Sequence, residues 1–129
     1  MAVSIQREDF DAAAESAALR AGGGDIGAIV AFTGICRSDN GRLAALELDA
    51  YPEMAQAEIA RIVEEARSRW PLEAVRVIHR YGRIAPGENI VLVLTASSHR
   101  QAAFEAAEFL MDYLKTRAPF WKKEHLADA

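Results

Sequence analysis

Ala74-Val75-Arg76-Val77-Ile78-His79-Arg80-Tyr81-Gly82-Arg83-Ile84, then Pro86-Gly87-Glu88-Asn89, then Ile90-Val91-Leu92-Val93-Leu94-Thr95-Ala96 is the stretch that decides the fold class. The first segment alternates, so Val75, Val77, His79 and Tyr81 fall on one face of a strand. The second is a turn by composition. The third is almost continuously apolar, as a central strand buried on both sides should be. Two strands joined by a turn predict an antiparallel pair at the centre of the sheet.

The flanking sequence supplies the layers. Upstream, Ala55, Ile59, Ile62, Val63, Ala66 and Trp70 recur at spacings of three and four from Pro52 onward, which predicts an amphipathic helix ended by Pro71. Downstream, an alanine-rich apolar pattern predicts a helix from His99 to Arg117, capped by Ser97 or Ser98 and ended by Pro119. Nearer the N-terminus, Asp9 to Arg20 reads as a helix, stopped by Gly22-Gly23-Gly24-Asp25. Ile26–Cys36 and Leu43–Ala50 read as two strands joined by Ser38-Asp39-Asn40-Gly41, a pattern that predicts a hairpin. Phe120–Glu124 is a short final segment. The order α-β-β-α-β-β-α predicts an α+β fold, an antiparallel sheet with flanking helices, in a single domain over residues 1–129.

Composition narrows the function without naming it. Fifteen Lys and Arg against nineteen Asp and Glu give a net charge of −4, which argues against general nucleic-acid binding. Cys36 is the single cysteine, so neither an internal disulfide nor a multi-cysteine zinc site can form. His79, His99 and His125 lack the spacing of a metal site on one helix, and no metal is expected. There is no signal peptide and no apolar run of membrane length, so a cytoplasmic protein away from membranes is expected. Gly22-Gly23-Gly24 precedes a strand instead of linking a strand to a helix, so it is no phosphate cradle. Gly-x-Ser-x-Gly is absent as well.

One local imbalance stands out. Lys115-Thr116-Arg117-Ala118-Pro119-Phe120-Trp121-Lys122-Lys123 holds four cations and no acid. Cations at a helix C-terminus suit the macrodipole, which accounts for Lys115 and Arg117. Lys122 and Lys123 lie beyond the proline, interleaved with aromatics, and suggest a shaped pocket where lysines can do acid–base or nucleophilic work. His99 and Arg100, at a helix start, could meet an anion together with free backbone N–H groups, or be a surface pair without a role. Arg37 ends a strand and enters a turn, where either a functional or a merely exposed arginine fits. Cys36 beside it reads as a buried small residue more readily than as a reactive thiol.

Phe109-Leu-Met-Asp-Tyr-Leu-Lys115-Thr-Arg117-Ala-Pro119-Phe-Trp-Lys122-Lys-Glu124, preceded by Ser97-Ser-His99-Arg100-Gln-Ala-Ala-Phe104-Glu, closely resembles the large, catalytic subunit of molybdopterin synthase. Phe32-Thr-Gly34-Ile-Cys-Arg37, Val77-Ile-His79-Arg80-Tyr-Gly82 and Pro86-Gly87 extend the resemblance over about Gly27 to Glu124. It implies an α/β hammerhead-like fold with added antiparallel strands. It implies sulfur transfer from the thiocarboxylated Gly-Gly tail of a small ubiquitin-like partner to cyclic pyranopterin monophosphate, forming the dithiolene of molybdopterin. It also implies a homodimer at the centre of a heterotetramer, and no cofactor, because the partner supplies the sulfur.

By the same resemblance Lys115 and Lys122 are the catalytic lysines. Ile35, Cys36, Arg37, His99, Arg100, Lys123 and Glu124 join them in contacting substrate. Family members often carry a lysine where this chain has Ile35, and usually run on beyond the point where this one ends at Ala129. A non-catalytic module of the same fold that docks the small subunit is the alternative. An unrelated phosphate-ester enzyme is a third class, set apart by turnover without a protein partner.

Overall fold

The computed structural model describes residues 2–128. In chain order the elements are β1 (Val3–Gln6), α1 (Ala12–Ala21), β2 (Ala28–Ile35), β3 (Leu43–Asp49), α2 (Pro52–Arg69), β4 (Leu72–Arg80), β5 (Gly82–Ile84), β6 (Asn89–Ser97), α3 (Arg100–Thr116) and β7 (Trp121–Leu126). The fold is α+β, as expected, but its strands divide into two sheets. One has the order β1-β4-β6-β2 and the other β5-β3-β7. Among the described residues, no helix is long and apolar enough to cross a membrane.

The central pair is β4 and β6, antiparallel, with Val77 opposite Val93 and His79 opposite Val91. The apolar run in β6 behaves as its composition predicts: Leu92, Val93 and Leu94 are fully buried. On one face α2 and α3 pack down, placing Ile59, Ile62, Val63 and Leu110 against Val75, Val77 and Val93. On the other, Phe10 and Leu19 cover Ile78, Leu92 and Leu94. The outer side of α2 carries solvated pairs such as Arg61–Glu58 and Arg69–Glu65, worth little to stability.

Four expectations need correction. First, β2 and β3 do not form a hairpin. β2 pairs antiparallel with β6, whereas β3 pairs with β5 and β7. The intervening turn is present, with Asp39, Asn40 and Gly41 all at positive φ (55°, 57° and 82°), but it carries the chain from one sheet to the other. Second, the strand expected over Ala74–Ile84 breaks after Arg80. Gly82 has φ 95°, and a Cβ there would stand 2.7 Å from the Arg7 guanidinium, so only glycine makes this bend and sends β5 to the second sheet. Third, the short final segment, left without a strand in the expected order, is one: Trp121–Leu126 forms the edge strand β7 along β3. Fourth, neither serine caps α3. The N-cap is His99, without a side-chain cap bond; the Ser97 hydroxyl donates to Pro71 O (2.8 Å) and that of Ser98 to Asp25 O (2.8 Å). Sequence reading also misses β1, which adds a parallel strand beside β4. α1 begins at Ala12, capped by the Asp11 carboxylate on Ala14 N–H.

Candidate active site

The two sheets and the end of α3 enclose a cavity of about 620 Å³. Its walls come from Phe32 of β2, Leu46 and Leu48 of β3, His79 of β4, and Ile90 and Val91 of β6. The last turns of α3 add Met111, Asp112, Leu114, Lys115 and Thr116, and the chain beyond adds Ala118, Phe120 and Lys122. Lys115 and Lys122 therefore share one space, although they belong to different elements. The route is local: after Thr116 the helix unwinds with Arg117 and Ala118 N–H both donated to Tyr113 O, and Pro119 prevents its continuation. Phe120 then turns inward and β7 begins. Among the described residues no ion pair engages either ammonium, and both lysines are exposed at the rim.

Strand alternation separates Lys122 from Lys123. Lys122 pairs with the buried Leu48 and faces the cavity. Lys123 pairs with Glu47 on the opposite face, where the His125 ring lies 2.8 Å from Glu47 Oε1. That hydrogen bond, with Lys123 and Arg83 nearby, holds the Glu47 carboxyl below its usual range. Glu124 is exposed opposite Leu46 and does not line the cavity.

Ile35, Cys36 and Arg37 end β2 at the same end of the sheet as the lysines, because Ile35 pairs with Asn89 beside the wall residues Ile90 and Val91. Arg37 and Ile35 are exposed. Cys36 is locked: it is buried, its N–H donates to Glu88 O (2.9 Å), and its carbonyl accepts from Gly87 N–H (2.8 Å). Burial, reinforced by the charge of Glu88, pushes the thiol up, so it is a packing residue and a poor nucleophile.

His99 and Arg100 are elsewhere. They open α3, and Lys115 lies fifteen residues on, about 22 Å along the axis. His99 borders a separate hollow of about 510 Å³ with Trp70, Glu73 and Glu105. The Trp70 indole N–H donates to Glu105 there (2.9 Å). Among the described residues the first N–H groups of α3 have no side-chain cap and no ion pair engages Arg100, so both can face an anion, but not one bound at Lys115 of the same chain.

His79 is the cavity residue that motif spacing did not single out. It is buried and stacked on Phe120, with ring centroids 3.8 Å apart and planes 16° from parallel. Burial pushes its pKa down to about 4. The signal in the sequence was slight: a histidine in register with Val75 and Val77 on the face turned to the core.

A family model described as MoaE protein matches residues 5–117. The molybdopterin synthase catalytic subunit of Mesorhizobium japonicum is 68% identical over 98% of this chain and 79% of its own length. Among solved structures, the molybdopterin biosynthesis MoaE protein from Burkholderia ambifaria superposes with a TM-score of 0.87 at 47% identity, over 100% of this chain and 90% of that one. Molybdopterin synthase from Staphylococcus aureus gives a TM-score of 0.85 at 31% identity, over 98% and 92% of the two chains. Identity at this level over nearly the whole length means that the chain belongs to the MoaE protein family, the catalytic subunits of molybdopterin synthase.

Proposed function

We propose that the Lys115–Lys122 cavity is where this molybdopterin synthase subunit moves sulfur from the thiocarboxylate of a small ubiquitin-like partner to cyclic pyranopterin monophosphate. The carrying observation is the convergence of two lysines, from the end of α3 and from β7, on one cavity with no carboxylate paired to either among the described residues. The reaction gathers anions: a thiocarboxylate tail and a phosphate-bearing substrate. Each transfer replaces a carbon–oxygen bond of the pterin side chain with a carbon–sulfur bond, the displaced oxygen leaving as water or with the opened phosphate ester, and water then cleaves the acyl–sulfur bond so that the tail departs as a carboxylate. The ammonium groups offset the charge that gathers as the tail and substrate meet. Lys115 stands closest to the reacting carbons in this reading, and Lys122 holds the intermediate or passes a proton.

The distance between the ends of α3 supports a second copy as part of the site. One substrate cannot bridge Lys115 and Arg100 of a single chain. A homodimer that brings the α3 start of one protomer to the cavity of its partner would assemble Arg37, Lys115 and Lys122 with His99 and Arg100. With one small partner on each protomer, the assembly is a heterotetramer.

The test is reconstituted conversion of cyclic pyranopterin monophosphate by the chain and its thiocarboxylated partner, with dithiolene product as the readout. Lys115→Ala should lower turnover by about a hundredfold or more, as loss of one preorganised charge donor does elsewhere. Wild-type turnover in that variant would end the assignment.

A further inference from the structure

The polar atoms of His79 are unequally used. Its Nδ1 lies 2.8 Å from the carbonyl oxygen of Arg80. A carbonyl only accepts, so Nδ1 carries the proton and Nε2 of the neutral ring is a bare acceptor. The Arg80 backbone is itself held, because its guanidinium donates to Arg7 O (2.9 Å) and Asn89 O (2.8 Å). With Phe120 stacked on the ring, neither the tautomer nor the orientation is free to change. Nε2 has no hydrogen-bond partner among the described residues. The Tyr113 hydroxyl is the one unpartnered side-chain polar atom among them that is sealed from solvent, so Nε2 keeps access to the cavity that His79 lines.

The cavity is therefore polarised by depth. Exposed ammonium groups stand at the rim, and a buried neutral acceptor sits at the floor between apolar walls. An anion is repelled by a bare acceptor lone pair and has no counter-charge at that depth, so it stays at the rim. The floor suits a flat, neutral group with an N–H to donate. We propose that His79 Nε2 accepts an N–H from the ring system of the pterin, fixing the heterocycle at the floor with its phosphate directed to the lysines. The inference rests on the function proposed above, and it adds a positioning and specificity residue to that site.

Two substitutions divide the ring's duties. His79→Asn keeps a donor where Nδ1 stands and loses the acceptor at Nε2. His79→Gln places an amide oxygen near Nε2 and gives up the bond to Arg80. The probe is free pterin, which carries the ring N–H groups but no phosphate, titrated against the full chain by its own fluorescence. A peptide ending in Gly-Gly is titrated in parallel. His79→Asn should weaken pterin binding by about tenfold, the value of one hydrogen bond, and leave the peptide unchanged. His79→Gln should bind pterin within about threefold of wild type, even where its melting temperature falls. Undiminished pterin binding by His79→Asn overturns the proposal, as does a Gln variant no better than Asn. Weakened peptide binding with pterin unaffected overturns it too, because the N–H donor would then be the partner's tail. Failure of pterin to bind the wild-type chain has the same effect. None of these titrations depends on sulfur transfer, so they are separable from the outcome of Lys115→Ala.

Discussion

Both ends of α3 carry basic residues, yet their surroundings differ. At the C-terminal end Lys115 opens onto a deep, mostly apolar cavity that five other elements help to wall. At the N-terminal end His99 borders a hollow whose lining includes Glu73 and Glu105, and Arg100 follows it as the first residue of the helix. The cations at the C-terminus agree with the helix dipole. At the N-terminus the Arg100 charge opposes it, and the backbone N–H groups beside it lack a side-chain cap. The contrast teaches that one helix holds its two ends about 22 Å apart, so basic residues that the sequence places on one helix border different hollows of the same chain.

Complementation tests that contrast most severely. Lys115→Ala and Arg100→Ala chains should each be nearly inactive alone. If the α3 start serves the partner's cavity, mixing and exchanging them leaves half the dimers mixed, each with one intact site, so about a quarter of wild-type turnover returns. Turnover assayed before and after subunit exchange decides it. No recovery would mean that the start of α3 does not complete the partner's cavity.

The buried end should also make stability depend on pH. His79 titrates near 6.5 when unfolded and at about 4 when folded, because burial disfavours the charged ring. The unfolded chain then binds more protons between those values, so stability rises with pH across the window. The contribution is complete above about pH 6.5 and is lost as pH falls toward 4, amounting to about 3 kcal/mol. Denaturant melts at pH 7 and pH 4.5 should show the loss in wild type, and His79→Asn should flatten it. Lys115, Lys122 and Asp112 share the cavity and remain in both proteins, so the difference between the two slopes isolates the ring.

Helices and central strands were legible because burial imposes a period. α2 repeats apolar residues at threes and fours, and β6 is apolar from Ile90 to Leu94 because both its faces are covered. β7 was not legible. An edge strand of Trp-Lys-Lys-Glu-His-Leu buries almost nothing, so neither composition nor alternation marks it. The hairpin expectation failed for a related reason: an Asn-Gly turn reports a reversal of the chain, not which sheet receives the second strand. For the site, the motif located Lys115 and Lys122, but their shared cavity depends on the turn at Pro119 and on the pairing of β7 with β3. Only that register tells Lys122 from Lys123. Alternation put His79 on one strand face with Val75 and Val77, and that face is buried, with one ring nitrogen left over for the cavity.

The smallest predicted effect concerns the bare start of α3. An aspartate at the N-cap accepts from the N–H groups of the second or third helical residue and also suits the positive end of the dipole. His99 already has the extended backbone of a cap residue, φ −129° and ψ 151°, so an aspartate fits there without rearrangement. His99→Asp should therefore stabilise the fold by about 1 kcal/mol and raise the melting temperature by a few degrees. The same carboxylate would occupy the N–H groups and repel an anionic substrate, so turnover should fall as stability rises. A variant that melts higher and turns over like wild type would show that this end of the helix holds no anion. In that case its missing cap would be a tolerated defect, and the contrast between the two ends would reduce to one site and one surface.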